Sequence, residues 1–580
     1  MGPRPRVRGE ATICRWAQSN TTMNTAFSNA AVACAFAFTF GATSVGSQVP
    51  PSAHRLPDSL VVPWREDLAF MAREMARRHR NLYHTMPRAR FDSAVAALQQ
   101  RIPALERHQI IVEMARIVAL VGDGHTNIAP TRDSAIGFRS LPIKLYFFKD
   151  GLFVRAADQD HAGLAGVRVM RIGRATPEEA YRRARELIGR DNEMDARFFA
   201  PFLLVMPEVL HALKLSTDQD SATFVVERDG RPSTVRLGAR GPATLMPSDT
   251  DVSWWPDSGW VDMRSSRQPR PLWLRRNPYD QYWFEYLPDS NLVYLQFNKV
   301  GDKQDESLED FSRRLLALLD TADVRRVALD LRLNRGGNGE LNRPLLLSLI
   351  KARKLDRPGS LFVLIGRSTF SAAQFLVNEL ERYTNALFVG EPSGGKANSY
   401  GDSRKIILPH SGITVRVSTL WWQEDPRDTR QWKAPDIAAE LTSSDYRDNL
   451  DPALRAVLAY RTEPSLSDRM AEALDAGDVA EAVRRYRSYR AEARHAYVDT
   501  ENELNALGYR ELKQKRYDRA IALFRLNVAE HPSSANVYDS LGEALLLAGQ
   551  RDAAIRQYRK SLQLDPRDEN ARSVLDELQP

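Results

Sequence analysis

The chain has 580 residues, enough for roughly three or four domains, with 43% hydrophobic and 27% charged residues and a net charge of +7. Those proportions are ordinary for a globular protein. Basic residues are scattered through mixed-charge helices such as "YRRARELIGRD" instead of forming a run, so the charge pattern argues against nucleic-acid binding.

In chain order, the first feature is "MNTAFSNAAVACAFAFTFGATSVGSQVPP", beginning at Met23, with an apolar run from Ala30 to Phe40 and small residues at Ala42, Ser44 and Gly46. The run is shorter than the ~20 residues that span a bilayer. It reads as a cleavable export signal, residues 1–47 with the upstream basic segment, and either Met1 or Met23 fits as the start. Both cysteines, Cys14 and Cys34, fall within it. The exported chain, expected in a periplasm or outside the cell, would therefore have no thiol for a disulfide, a nucleophile or a metal.

Residues 60–135 carry the apolar spacing of helices, as in "WREDLAFMAREMARRH" and "RHQIIVEMARIVALVG". Residues 141–242 are strand-rich, from "LPIKLYFFKDGLFVRAA" to "SATFVVERDGRPSTVRL", and are interrupted by the insert "RDNEMDARFFAPFLLVMPEVLHALK". Between 275 and 462 strands alternate with helices: "NLVYLQFNKV", "ESLEDFSRRLLALLDTA", "VRRVALDLRLN", "LNRPLLLSLIKA", "SLFVLIG", "SAAQFLVNELERY", "ALFVGEP". That alternation predicts βαβ units and a mainly parallel sheet, whose chemistry collects at the carboxyl ends of the strands. In the tail, 464–580, the pairs Gly508/Gly542, Ala520/Ala554 and Pro532/Pro566 repeat at one spacing, the period of tetratricopeptide helix pairs.

Three loops follow the strands of the α/β part: "NRGGNG", "GRSTFSAAQ" and "GEPSGGK". Ser371 stands at a strand-to-helix turn, where a hydroxyl can be exposed and backbone N–H groups can hold an oxyanion. A serine there is equally a routine helix N-cap. Gly336 and Gly337 permit close backbone approach, and their amides with that of Ala372 form a candidate oxyanion hole. Two groups are candidates to accept the serine proton: His125 in "VGDGHTN", and Lys396, which follows Ser371 by a helix and a strand and would need a depressed pKa. No HExxH, Walker loop or dinucleotide fingerprint is present, so no metal and no cofactor is expected.

Taken together, "DGHT", "VYLQFN", "LDLRLNRGG", "STFSAAQ", "VGEPSGGK" and "APDI" resemble the C-terminal-processing, or tail-specific, serine peptidases over residues 60–462, most specifically over 291–440. The resemblance implies an α/β, mainly parallel-sheet (ClpP/crotonase-like) peptidase core with a helical N-terminal part, a degenerate PDZ-like insert at 141–242 and an all-α tail. It implies Ser371 as nucleophile and Lys396 as base, or His125 as base with a downstream carboxylate, Glu424 or Asp425, in support. Gln374 stands where the family usually has Glu, and the lysine loop lacks the family's following glycine. The expectation is an exported serine endopeptidase acting on proteins or peptides through an acyl-enzyme, with a tail that recruits a protein partner and no transmembrane span. The alternative is an inactive scaffold that binds peptides through the PDZ-like and repeat modules.

Overall fold

A computed structural model describes residues 56–242, 250–255, 258–461 and 466–578. The stretch expected to be an export signal, and both cysteines, lie outside the described residues. Among the described residues no helix is long and apolar enough to cross a membrane.

The first three helices are α1 (Asp58–Arg78), α2 (Arg88–Arg101) and α3 (Arg107–Ala119). A capping box between Glu106 and Gln109 starts α3. A meander of antiparallel strands follows: β1 (Ile143–Phe148), β2 (Gly151–Asp158) and β3 (Arg168–Ile172). After helices α4 (Pro177–Arg185), α5 (Glu193–Leu203) and α6 (Pro207–Ala212) come β4 (Ser221–Arg228) and β5 (Arg231–Gly238). A short β6 (Trp260–Asp262) pairs antiparallel with the end of β2, on the edge opposite β1. The "RDNEMDAR…" insert thus supplies α5 and α6. Their apolar side chains, Ala196, Ala200, Leu203, Val209 and Leu210, enter one core with α1–α3 and the meander.

The second sheet runs β7 (Tyr282–Leu287), β8 (Leu292–Phe297), β9 (Arg326–Asp330), β10 (Leu361–Ile365), β11 (Leu387–Gly390) and β16 (Ile437–Ala438) across its width. Only β7 is antiparallel to its neighbour. β8 and β10 are buried along their whole length, as a sheet covered on both faces requires. The crossovers are α7 (Leu308–Thr321), α8 (Asn342–Lys351) and α9 (Ala372–Tyr383). α7 presents Leu308, Phe311, Leu315 and Leu319 to the sheet at helical spacing.

Between β11 and β16 the chain makes two small hairpin sheets. β12 (Ser399–Gly401) pairs with β15 (Leu420–Trp422), and β13 (Arg404–Ile407) pairs with β14 (Thr414–Val417). Ile406, Val415 and Val417 of the second hairpin sit in the core of α1–α3. This packs the N-terminal helices against that hairpin, and Asn127, two residues past His125, bridges to Arg416 of β14. After α10 (Ser443–Arg447) and α11 (Pro452–Ala459) the tail is helical: α12 (Leu466–Asp475), α13 (Val479–Ala491), α14 (Glu501–Lys513), α15 (Tyr517–Glu530), α16 (Ala535–Leu547), α17 (Arg551–Leu564) and α18 (Glu569–Leu578). The period seen in sequence has a packing cause. A Cβ on Gly508 would lie 2.5 Å from the Phe524 ring, and one on Gly542 would lie 3.1 Å from the Tyr558 ring. Each glycine lets the aromatic of the next helix close onto its own.

Candidate active site

β10 ends at Ile365, and the turn "GRSTFS" is locked before α9 begins. The Thr369 hydroxyl donates to Leu331 O and accepts from Gly366 N–H, and Phe370 N–H donates to Asn334 O. Ser371 then adopts φ 56° and ψ −126°, a conformation that costs an L-residue about 1–3 kcal/mol and persists only where the surroundings enforce it. Ser371 caps no helix N–H with its side chain. Its Oγ lies 3.0 Å from His125 Nε2 instead. The hydroxyl turns away from α9 and toward an imidazole.

The loop carrying His125 is held as tightly. Asp123 Oδ1 accepts the N–H groups of His125 and Thr126 and the hydroxyl of Ser418, while Asp123 Oδ2 lies 2.8 Å from His79 Nε2. Phe370 stacks on the imidazole with centroids 4.7 Å apart. A Cβ on Gly124 would strike the Phe370 ring at 2.7 Å, so "DGH" requires its glycine for close approach. Burial holds the His125 pKa below the ordinary 6.5, against Asp191 and Asp123, whose charges raise it. When the serine hydroxyl donates to Nε2 the ring proton is on Nδ1, an atom that is buried and has no hydrogen-bond partner among the described residues.

The paired glycines approach Ser371 as the sequence suggests. A Cβ on Gly336 would lie 2.8 Å from Ser371 Cβ, and one on Gly337 would lie 1.9 Å from Val300 O. Their φ values, 109° and 137°, belong to glycine. The Gly336 N–H already donates to Asn334 Oδ1 at 2.9 Å. Of the three candidate oxyanion donors, Gly337 and Ala372 are therefore the two whose N–H groups have no acceptor among the described residues.

Lys396 is half-buried in the loop after β11, and no hydrogen bond joins it to Ser371. Its charge acts on Asp191 and on His84. Gln374 faces the same loop, with its Cβ under Gly395, and donates to Asn378 Oδ1. Glu424 and Asp425 are not brought to His125. They accompany the later turns of α9, where Glu424 meets Asn378, Glu379 and Arg382, and Asp425 pairs with Arg427. Burial first, and the Glu379 charge next, push the Glu424 carboxyl up to about 7.

Sequence reasoning missed Asp191, Asn192 and Asp195, at the start of α5. Asp191 Oδ1 accepts the Gly124 N–H at 2.8 Å, and its carboxylate is the charge that most raises the His125 pKa. Burial raises the Asp191 pKa, while His125 and Lys396 pull it down. Asn192 caps α5 through Oδ1, and its amide donates to Ser393 O, Gly395 O and Gln431 O. Asp195 pairs at 3.3 Å with Arg335, the residue preceding the paired glycines; burial pushes the Asp195 carboxyl up to about 7. The Arg335 guanidinium in turn lies over Phe198, Phe199 and Phe370. One five-residue stretch thus bonds to the histidine loop, the lysine loop and the residue leading the glycine loop. The available signal was the concentration of Asp and Asn directly before the apolar run "FFAPFLLV", since polar residues in such company need buried partners.

A separate group, Glu106, His108 and His211, offers ligand atoms within 4.8 Å of one another. His108 Nε2 lies 2.8 Å from His211 Nδ1, one ring nitrogen donating to the other. Burial pushes the His108 pKa down to about 4. This group shares no bond with the Ser371–His125 pair.

No family model matches the sequence, and no curated protein matches it. Among solved structures the chain is similar to mature CPAF complexed with lactacystin, at 13% identity and TM-score 0.48, covering 67% of this chain and 96% of that one. It is also similar to a photosystem II D1 C-terminal processing protease, at 15% identity and TM-score 0.31, covering 68% and 96%. The first TPR domain of human RPAP3 matches at 19% identity and TM-score 0.15, covering 20% of this chain and 86% of that one. With TM-scores this low, what the chain does has to be read from its own side chains.

Proposed function

We propose that the protein is a serine endopeptidase acting on protein or peptide substrates, with Ser371 as nucleophile and His125 as its base. The observation that carries this reading is the 3.0 Å approach of His125 Nε2 to the hydroxyl of a serine in a strained strand-to-helix turn. Ser371 Oγ attacks the peptide carbonyl as its proton passes to His125 Nε2. The oxyanion that forms is met by the N–H groups of Gly337 and Ala372. His125 then gives the proton to the departing amine, and a water, deprotonated in turn by His125, hydrolyses the acyl-enzyme.

The transient imidazolium sits in a buried setting where Asp191 supplies negative charge. Lys396 acts in this scheme through Asp191, keeping it ionised against burial, and not as the base. The resemblance in sequence to tail-specific peptidases agrees with this chemistry. The export signal would direct the protein to a periplasm or beyond the cell. The antiparallel meander would capture peptide by strand addition as PDZ-like modules do, and the repeat tail would recruit a protein partner through its stacked helix pairs.

Labelling with a fluorophosphonate probe tests the reading. Wild type should label covalently, Ser371→Ala should not, and His125→Ala should label far more slowly. Absence of labelling in the intact wild-type protein would instead favour the peptide-binding scaffold.

A further inference from the structure

Leu420, Trp421 and Trp422 form three consecutive large apolar residues with 47%, 41% and 42% of their surface exposed. They make up β15, whose partner β12 begins three residues after Lys396. Adjacent residues of a strand point to opposite faces, so Leu420 and Trp422 share one face while Trp421 takes the other with its register partner Tyr400. The face of Trp422 is turned toward the nucleophile. Its ring meets Phe375 with centroids 5.8 Å apart, and Phe375 lies one turn along α9 from Ser371. The Phe375 ring also stands over Gly339, just past the paired glycines. Trp422 is not loose: its indole N–H donates to Asp402 Oδ2 at 2.6 Å, and it closes on Gly401. An exposed tryptophan fixed by its polar end offers its ring as a rigid surface at small entropy cost.

We propose that Phe375, Leu420 and Trp422 form a substrate subsite that takes a bulky apolar or aromatic side chain of the peptide whose carbonyl is attacked by Ser371. The proposal rests on the peptidase reading and adds the substrate class to it. One helical turn and one ring contact separate Ser371 from Trp422, roughly 10 Å. An extended peptide advances ~3.4 Å per residue, which sets the recognised side chain about two to three residues from the scissile bond. The occupant is apolar because the subsite presents two rings and a leucine. None of the three side chains carries a charge or a hydrogen-bond acceptor to replace the water a carboxylate or ammonium would give up against them.

The test is a positional peptide library cleaved by the full chain. Wild type should prefer Phe, Trp or Leu over Gly or Asp at one position within three residues of the cut by about tenfold in kcat/KM. Trp422→Ala and Phe375→Ala should each lower that preference to about twofold, chiefly through KM, while Trp422→Phe retains most of it. All three should react with a small fluorophosphonate at the wild-type rate, which shows that Ser371 and its fold are intact. Unchanged preference in both alanine variants, or an equal preference for charged residues in wild type, would overturn the subsite. Binding of the same peptides to Ser371→Ala, read by tryptophan fluorescence, separates the two claims. Selective binding that Trp422→Ala removes, with no cleavage by wild type, keeps the subsite and sinks the peptidase. Cleavage without selective binding does the reverse.

Discussion

From Leu292 to Gly390 each element announces itself in the sequence: an apolar strand, a glycine- or serine-bearing turn, an amphipathic helix. The stretch Asp191–Asp195 announces nothing, yet it bonds to the His125 loop and the Lys396 loop and pairs with Arg335 before the paired glycines. The first region places Ser371 by regular topology, since strands of a parallel sheet deliver their following loops to one edge. The second places the neighbours of Ser371 by buried polar bonds between segments far apart in the chain. Periodicity reveals the first kind of order. It is silent about the second, because which carboxylate meets which N–H depends on the folded path.

If the regular region alone determined activity, changes outside it would have little effect. His125→Ala should have the largest effect, lowering kcat by about 10⁴-fold or more with little change in KM. Gly336→Ala should come next. Its new Cβ would lie 2.8 Å from Ser371 Cβ at a φ of 109°, so activity should fall about 10³-fold while circular dichroism stays that of the wild type.

Asp191→Asn probes the stapling stretch itself and should lower kcat by about 10²-fold. The pH profile distinguishes charge from mere structure. Asp191 raises the His125 pKa, so its neutralisation should shift the acid limb of kcat/KM to lower pH; a purely structural loss would leave the limb in place. Glu424→Gln should change least. Its carboxyl is raised to about 7 by burial, so the folded state is penalised as pH rises from the unfolded value through about 7. Removing that charge should raise Tm by about 2 °C above pH 7, the partial exposure of the group keeping the gain small, with activity unchanged. Loss of activity there would restore Glu424 to the site.

Much of the fold was legible. The alternating strands and helices, the helical start, the strand-rich middle and the repeating tail each follow from local patterning, down to Gly508 and Gly542 admitting Phe524 and Tyr558. The positions of Ser371 and the paired glycines were legible because strand ends and glycines carry local backbone information. The base was not. His125 and Lys396 are both plausible by residue type, and which one lies beside Ser371 depends on the packing of α1–α3 on the β13/β14 hairpin through Ile406, Val415 and Val417. The glycine amides show the same limit: Gly336 looks like an oxyanion donor until Asn334 is seen to accept its N–H.

In the proposed mechanism His125, and not Lys396, takes the proton of Ser371. The rate of fluorophosphonate labelling against pH, in wild type and in Lys396→Met, tests it most directly. The expected result is an acid limb with a pKa below 6.5 and a plateau above it in both proteins, with at most about a tenfold slower plateau in the variant. A wild-type rate that climbs through the lysine range, and a limb that disappears in Lys396→Met, would contradict the account.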